Sequence, residues 1–392
     1  MSTSNLPIRY GPYTLQQRLA AGGMAEVFLG TASGASGFRK PVAIKRIHPR
    51  LANHDAAESM LAEEAKLAVS MTHKNIVQTF DLQRFGDDYI LVMEHVDGYD
   101  MQHVLDVLRR MGRQLPVDLA AHIIAEVCRG LEHAHAHRDE AGEPAELVHR
   151  DVSPQNILLS FAGEVKIADF GIAKTRERAS DPESRVIKGK YFYMSPEQAR
   201  GEAVDRRSDI FSAGVVLWEL LVGERLHQAP DVATLVELVR CAHVPRPSAL
   251  RKSSPRALDE IVARATAADP AHRFSDAGNM AEALTTFLAA RRTAVPAREI
   301  RELLKNVPRP SPPPEHPADH GAPRTRDAVP TLSIEQRHTP PEPPLRFDLA
   351  HGEPTLAGWQ SPAAKPLPQV WMALLLLGSS AAVLLSWLLH GV

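Results

Sequence analysis

The chain has 392 residues, of which 44% are hydrophobic and 23% charged, and a formal net charge of -2. That balance suits a soluble globular protein with one large domain or two ordinary ones, and it excludes a whole-protein basic field that would draw nucleic acid. Two cysteines, Cys128 and Cys241, exclude a disulfide framework and fit a reducing setting. Residues 1–5 lack the basic stretch and apolar core of a signal peptide, so no export of the first domain is expected.

In chain order, residues 13–47 read as strands: 13–19, 26–30 and 42–47, with a small-residue turn after the first. The turn comprises Leu19, Ala20, Ala21, Gly22, Gly23, Met24, Ala25, Glu26 and Val27, and alone it reads as a hairpin. Val42-Ala43-Ile44-Lys45 places a lysine on the third strand. A helical stretch follows, with Met60, Leu61, Ala65, Leu67 and Ala68 apolar and Glu63 and Glu64 acidic. Residues 90–98 form an apolar strand running into a turn. A helix over 123–137 ends at His137-Arg138-Asp139, and the triplet returns as His149-Arg150-Asp151. A strand over 165–168 leads into Asp169-Phe170-Gly171. Tyr193-Met194-Ser195-Pro196-Glu197-Gln198 and a buried helix starting near Asp205 come next, then Asp269-Pro270-Ala271-His272-Arg273.

Two further zones differ in composition. Residues 307–369 are dominated by proline, which lacks the N–H for regular pairing, and the few large apolar residues there do not offset chain entropy. An extended tether is expected, with a recruitment site for a proline-reading partner as the second reading. Residues 370–389 carry no charge, are long enough for a bilayer core, and hold Trp371 and Trp387 near their ends. A transmembrane helix is expected there. Lys365 precedes the run and no Lys or Arg follows, which favours the N-terminal part on the cytoplasmic side of the plasma membrane. Only residues 390–392 remain beyond it, so no outer sensor domain is expected.

Taken together, the motifs over residues of about 13 to 288 resemble those of the bacterial eukaryotic-like (Hanks-type) Ser/Thr protein kinases. The resemblance implies an α+β, bilobal protein-kinase fold with a small β-rich N-lobe and a mostly helical C-lobe. A short helical extension (289–306), the Pro-rich linker (307–369) and one transmembrane helix (370–389) would follow. It implies ATP and Mg²⁺ as cofactors and protein Ser/Thr hydroxyls as substrates. Residues Leu19 to Val27 become a glycine-rich loop over the ATP phosphates, with Ala20 and Ala25 in glycine places and Gly22 kept. Lys45 would reach the α- and β-phosphates. Glu64 would be its ion-pair partner, or Glu63 if the register slips by one. Backbone groups from Glu94 to Val96 would contact adenine, with Met93 as gatekeeper and Asp100 at the ribose.

Of the two His-Arg-Asp triplets, only the second has asparagine five residues on, because Pro144 follows Asp139 where Asn156 follows Asp151. The resemblance therefore makes Asp151 the catalytic base and gives Asn156 and Asp169 the metal ions. His133, His135 and His137 read as structural, since no acidic or Cys partner stands at ligand spacing. Asp209 is expected to brace the catalytic loop, and Arg273 to pair with Glu197. Arg150, expected to be buried, would pair with an activation-loop phosphate on Thr175, Ser180 or Ser184.

Two departures stand out. Ser153 occupies the place of a lysine usual in Ser/Thr kinases, and Lys190 follows Gly189 where threonine is usual. Lys190 is expected to supply the missing cation. Pro154 argues against a tyrosine kinase. The alternative to an active kinase is a nucleotide-binding pseudokinase scaffold, against which stands the joint presence of Lys45, Glu64, Asp151, Asn156 and Asp169.

Overall fold

Alternating apolar and polar side chains at the N-terminal end fold as an antiparallel sheet, with order β1-β2-β3-β4-β6-β5. Its strands are β1 (Ile8–Tyr10), β2 (Tyr13–Ala21), β3 (Ala25–Ser33), β4 (Arg39–Ile47), β5 (Thr79–Phe85) and β6 (Asp88–Glu94). The computed structural model describes residues 6–21, 25–47, 66–86, 88–139, 141–170, 191–295 and 297–309. Glu64 and Glu63, Gly22 to Met24, the activation-loop stretch that includes Lys190, most of the linker and the 370–389 run lie outside them.

Because side chains alternate across a strand, register decides which residues share a face. Leu15, Phe28, Val42, Ile44, Ile90 and Val92 are buried together on one face. The pairs Val27↔Lys45, Lys45↔Leu91 and Ala43↔Met93 put Val27, Ala43, Lys45, Leu91 and Met93 on the other.

A second sheet, β7-β8-β9, joins β7 (Gly98–Asp100), β8 (Ile157–Ser160) and β9 (Val165–Ile167). β7 and β8 approach so closely that a Cβ on Gly98 would lie 1.9 Å from the Leu159 carbonyl oxygen, which only glycine tolerates. The pairing carries the chain from the first sheet into α1 (Met101–Arg110), capped by Asp100.

The helical part is built around α4 (Arg206–Val222), buried on all sides from Ser208 to Val222, as expected of a helix apolar all round. Asp205 caps its start and Gly223, at φ 88°, its end. Against it pack α2 (Val117–His135), α7 (Arg256–Ala265) and α8 (Ala277–Ala290). Shorter helices α3 (Pro196–Arg200), α5 (Val232–Cys241) and α6 (Pro247–Leu250) complete the layer. α2 starts six residues before the expected position, directly after Pro116, because its first turn is also buried. Cys128 on α2 is fully buried, and burial pushes its thiol up to about 12, so it is chemically inert. Beyond α8, α9 (Ala297–Lys305) docks back through Ile300 and Leu304, both buried.

Candidate active site

The site is assembled around Asp209 of α4, itself 1% exposed. Its Oδ2 accepts the His149 N–H and its Oδ1 the Arg150 N–H, both at 2.8 Å. His135 Nε2 donates to the same Oδ2 at 2.8 Å. These bonds hold a strained loop: Arg150 has φ 63°, the left-handed region that favours glycine. Such a conformation costs on the order of 1–2 kcal/mol in a residue with a Cβ, and Asp209 offsets it. The bracing role expected of Asp209 is thus met.

The buried His149 ring links the two halves of the site. Its Nδ1 accepts from the Asp151 N–H at 3.2 Å and its Nε2 donates to the Ala168 carbonyl at 3.0 Å. One nitrogen accepting and the other donating defines a neutral imidazole. Phe170 packs against the same ring, with centroids 4.6 Å apart. The Asp151 loop and the Asp169 segment are therefore set relative to each other through one side chain.

Asn156 donates from Nδ2 to the Asp151 carbonyl at 2.8 Å and to Asp151 Oδ2 at 3.1 Å. Its own carbonyl accepts the Ala168 N–H at 2.8 Å, one residue before Asp169. Lys45 Nζ lies 2.8 Å from Asp169 Oδ1. Asp169 is also left-handed, at φ 60°. Lys45 and Asp169 thus form one bonded pair and Asp151 and Asn156 another, and the Ala168 N–H on the Asn156 carbonyl ties the two, bringing together β4, the Asp151 loop and the end of β9.

Next to these pairs is an apolar cluster. Val77 and Met93 are buried, with Ala43, Val96, Leu158 and Ala168 partly buried against them. Val77, Ala43, Leu158 and Ala168 escaped the sequence reading, because apolar residues on strands look like ordinary core. Leu19 on β2 is 42% exposed. Ala20 pairs with Val27, and Ala21 with Glu26 across β2 and β3, beside Ala25. The Glu94 side chain is engaged by Lys166, Nζ to Oε1 3.0 Å, and by the Gln78 N–H at 3.2 Å. Asp100 Oδ1 caps α1 by accepting the His103 N–H at 2.8 Å. Burial raises the Asp100 carboxyl above its usual range, and the His103 bond opposes that rise.

One expectation is narrowed by the fold and one is corrected. Glu26 falls on the sheet face opposite Lys45, and its carboxylate is taken by Arg46 and by Arg18. Its side chain belongs to the outer face, so only its backbone remains for a phosphate contact. Arg150 is exposed, not buried, because its backbone carries the loop while the side chain leaves the core.

Around the site, Arg273 meets Glu197 through two parallel bonds of 2.7 and 2.8 Å, with Arg273 3% exposed. Burial alone would raise the Glu197 carboxyl, but bonds from Arg273 and Ser208 bring it down to about 2. Ser195 and Gln198 form a capping box at the start of α3, and Gln198 Nε2 donates to the Arg150 carbonyl at 3.2 Å. The Tyr193 hydroxyl donates to the buried Glu219 at 2.6 Å. The other His-Arg-Asp triplet is a surface turn, in which Asp139 Oδ1 accepts the N–H groups of Ala141 and Glu143 at 2.9 Å. Of the nearby histidines, His133 stacks on His73 at 4.8 Å and His137 Nε2 lies 2.8 Å from Ser70 Oγ.

A model of the protein kinase domain matches residues 13–287. Tyrosine-protein kinase MasK of Myxococcus xanthus is 41% identical over 297 residues, which are 76% of this chain and 46% of that protein. Serine/threonine-protein kinase PrkC of Bacillus subtilis is 31% identical over 301 residues, 76% of this chain and 44% of that protein. Serine/threonine-protein kinase PknL of Mycobacterium tuberculosis is 35% identical over 288 residues, 73% of this chain and 68% of that protein. The chain spans about half the length of the first two. Among solved structures, the PknI kinase domain of Mycobacterium tuberculosis aligns with a TM-score of 0.54 at 28% identity, over 71% of this chain and 98% of that one.

Proposed function

The chain belongs to the protein kinase family, and we propose that it transfers the γ-phosphate of ATP to serine or threonine hydroxyls of proteins. The observation that carries this reading is the pair Lys45–Asp169 held beside the pair Asp151–Asn156, with the Asn156 carbonyl bonded to the Ala168 N–H next to Asp169. The apolar cluster that includes Ala43 and Leu158 offers the surface for the adenine ring, and Lys45, on the same sheet face as Ala43, faces the phosphates. Asp151 orients the substrate hydroxyl and receives its proton. The family's chemistry asks little more, since phosphoryl transfer is driven by positioning and by charge stabilisation.

Asn156 and Asp169 offer hard oxygen donors, which fit Mg²⁺, an ion that keeps few protein ligands beside phosphate and water oxygens. No group of three or more His, Cys, Asp and Glu that could hold a metal occurs among the described residues. Bound Mg²⁺ would neutralise charge on the phosphates. Asn156 and Asp169 would hold it.

The hydroxyl class rests on Pro154 in the catalytic loop and on the relatives named for serine and threonine. MasK, named for tyrosine, favours the other class. Phosphoamino-acid analysis of a labelled protein substrate decides: phosphoserine or phosphothreonine is expected, and phosphotyrosine alone would overturn the assignment.

Ser153 is buried directly after Val152 in the Asp151 loop, and the cation usual there is supplied by Lys190. Lys190→Met is expected to lower turnover by roughly 10²-fold with an unchanged melting temperature. Unchanged turnover would remove this role.

Residues 370–389 anchor the chain in the plasma membrane, with the kinase domain on the cytoplasmic side. No helix among the described residues is long and apolar enough to cross a membrane, so the anchor rests on this run alone. The full chain is expected to sediment with membranes and resist carbonate extraction, and a chain ending at residue 369 to stay in the supernatant. A full chain found in the supernatant would contradict the anchor.

A further inference from the structure

The segment after α8 lies beyond the matched domain, which ends at residue 287, yet it is built into the C-lobe. Ile300, Leu304 and Val307 are 0%, 1% and 5% exposed. At the start of α9, Ala297 sits so close to the β8–β9 turn that a Cβ on Gly163 would lie 2.3 Å from its carbonyl oxygen. Past its end, the Pro308 carbonyl accepts a hydrogen bond from His103 Nε2 at 2.9 Å. A carbonyl can only accept, so the ring proton is on Nε2.

His103 stands in the first turn of α1, and its backbone N–H is the donor to Asp100 Oδ1 at 2.8 Å. One residue thus holds the C-terminal segment with its ring and the ribose-side carboxylate with its backbone. A second route runs through Tyr99, whose ring lies 5.1 Å from His103 and 5.2 Å from Phe161, the residue leading into the turn under Ala297. The segment therefore reaches the strand and helix that carry Asp100 by two routes, one direct through His103 and one through the β8–β9 turn and Phe161.

We propose that residues 297–309 act as a strap that sets nucleotide affinity by holding the first turn of α1, and with it Asp100. The proposal rests on the reading of Asp100 as the ribose contact. His103 is a positioning residue, since it acts through Asp100 and does not touch the nucleotide. The strap acts on nucleotide binding and leaves the bonded pairs around Asp151 and Asp169 untouched, so affinity and turnover separate.

The test is the affinity of the full chain, in detergent, for Mg·ADP by calorimetry, together with KM for ATP and kcat. His103→Ala is expected to raise the Kd and the KM about three- to fivefold, the effect of one lost hydrogen bond, with kcat within about twofold. His103→Gln, which keeps a donor, is expected to restore most of that affinity. Leu304→Asp, which undocks α9, should raise the Kd at least as much and leave no further effect for His103→Ala, as coupled sites behave. If Leu304→Asp does not fold, the two His103 variants decide alone. An unchanged Kd in folded His103→Ala, or a fall in kcat without a change in KM, overturns the strap. Failure of the wild-type chain to bind Mg·ADP overturns the nucleotide-binding reading beneath it, and the strap with it.

Discussion

Asp151→Asn is expected to lower phosphotransfer by roughly 10²- to 10⁴-fold, the range for a lost general base, while nucleotide affinity and melting temperature stay near the wild-type values. The reason lies in how the loop is held. The strained backbone at Arg150 is fixed by Asp209 and His149 through main-chain groups, which the substitution leaves in place. Asn156 reaches the Asp151 carbonyl at 2.8 Å, a bond independent of the side chain. Asparagine keeps the shape of the carboxylate and removes its capacity to take a proton. Steady-state transfer to a protein substrate, with calorimetric binding of Mg·ADP as the companion, checks this. A variant as active as the wild type would remove Asp151 from the chemistry.

Arg273→Met is expected to cost about 3–5 kcal/mol, the range for breaking a buried ion pair by removing one partner. Both Glu197 oxygens lose their bonds to Arg273, with the Ser208 hydroxyl remaining on Oε1, and Glu197 is 5% exposed. The pair also predicts an acid dependence with a definite sign. The folded-state value of Glu197 is about 2 against an ordinary 4.5, so its stabilising effect is fully present above about pH 4.5 and is lost as pH falls towards 2. On the order of 3 kcal/mol is at stake in that window. Denaturant unfolding of wild type and variant across pH 2–7 tests it. The two should differ most near neutrality and converge in acid, whereas a constant difference would contradict the linkage.

What could be read before folding, and what could not, divides along physical lines. Lys45, Asp151, Asn156 and Asp169 were readable because they stand in motifs that resemble those of the kinase family. Asp209 and Arg273 were readable as scaffold for the same reason, and both bond as expected. Leu158 and Ala168 were not, since an apolar residue on a short strand looks the same in a binding slot as in a core. They come together with Met93 of β6 only once the chain has folded. Glu26 could be placed only as a member of its loop, because a motif counts positions and ignores the pleat, which turns every second side chain away. Arg150 was misread because exposure of a side chain depends on the backbone twist at φ 63°. The docking of α9 was hidden for another reason: an amphipathic helix states that it has a partner but not which one.

The central claim is that this is a working kinase and not a nucleotide-binding scaffold, and one measurement meets it directly. The purified full chain is given Mg²⁺, γ-labelled ATP and a generic protein substrate, with nucleotide binding followed in parallel. The account predicts saturable binding together with label on the substrate, and label lost in Asp151→Asn. Saturable binding by the wild-type chain with no transfer of label would contradict it.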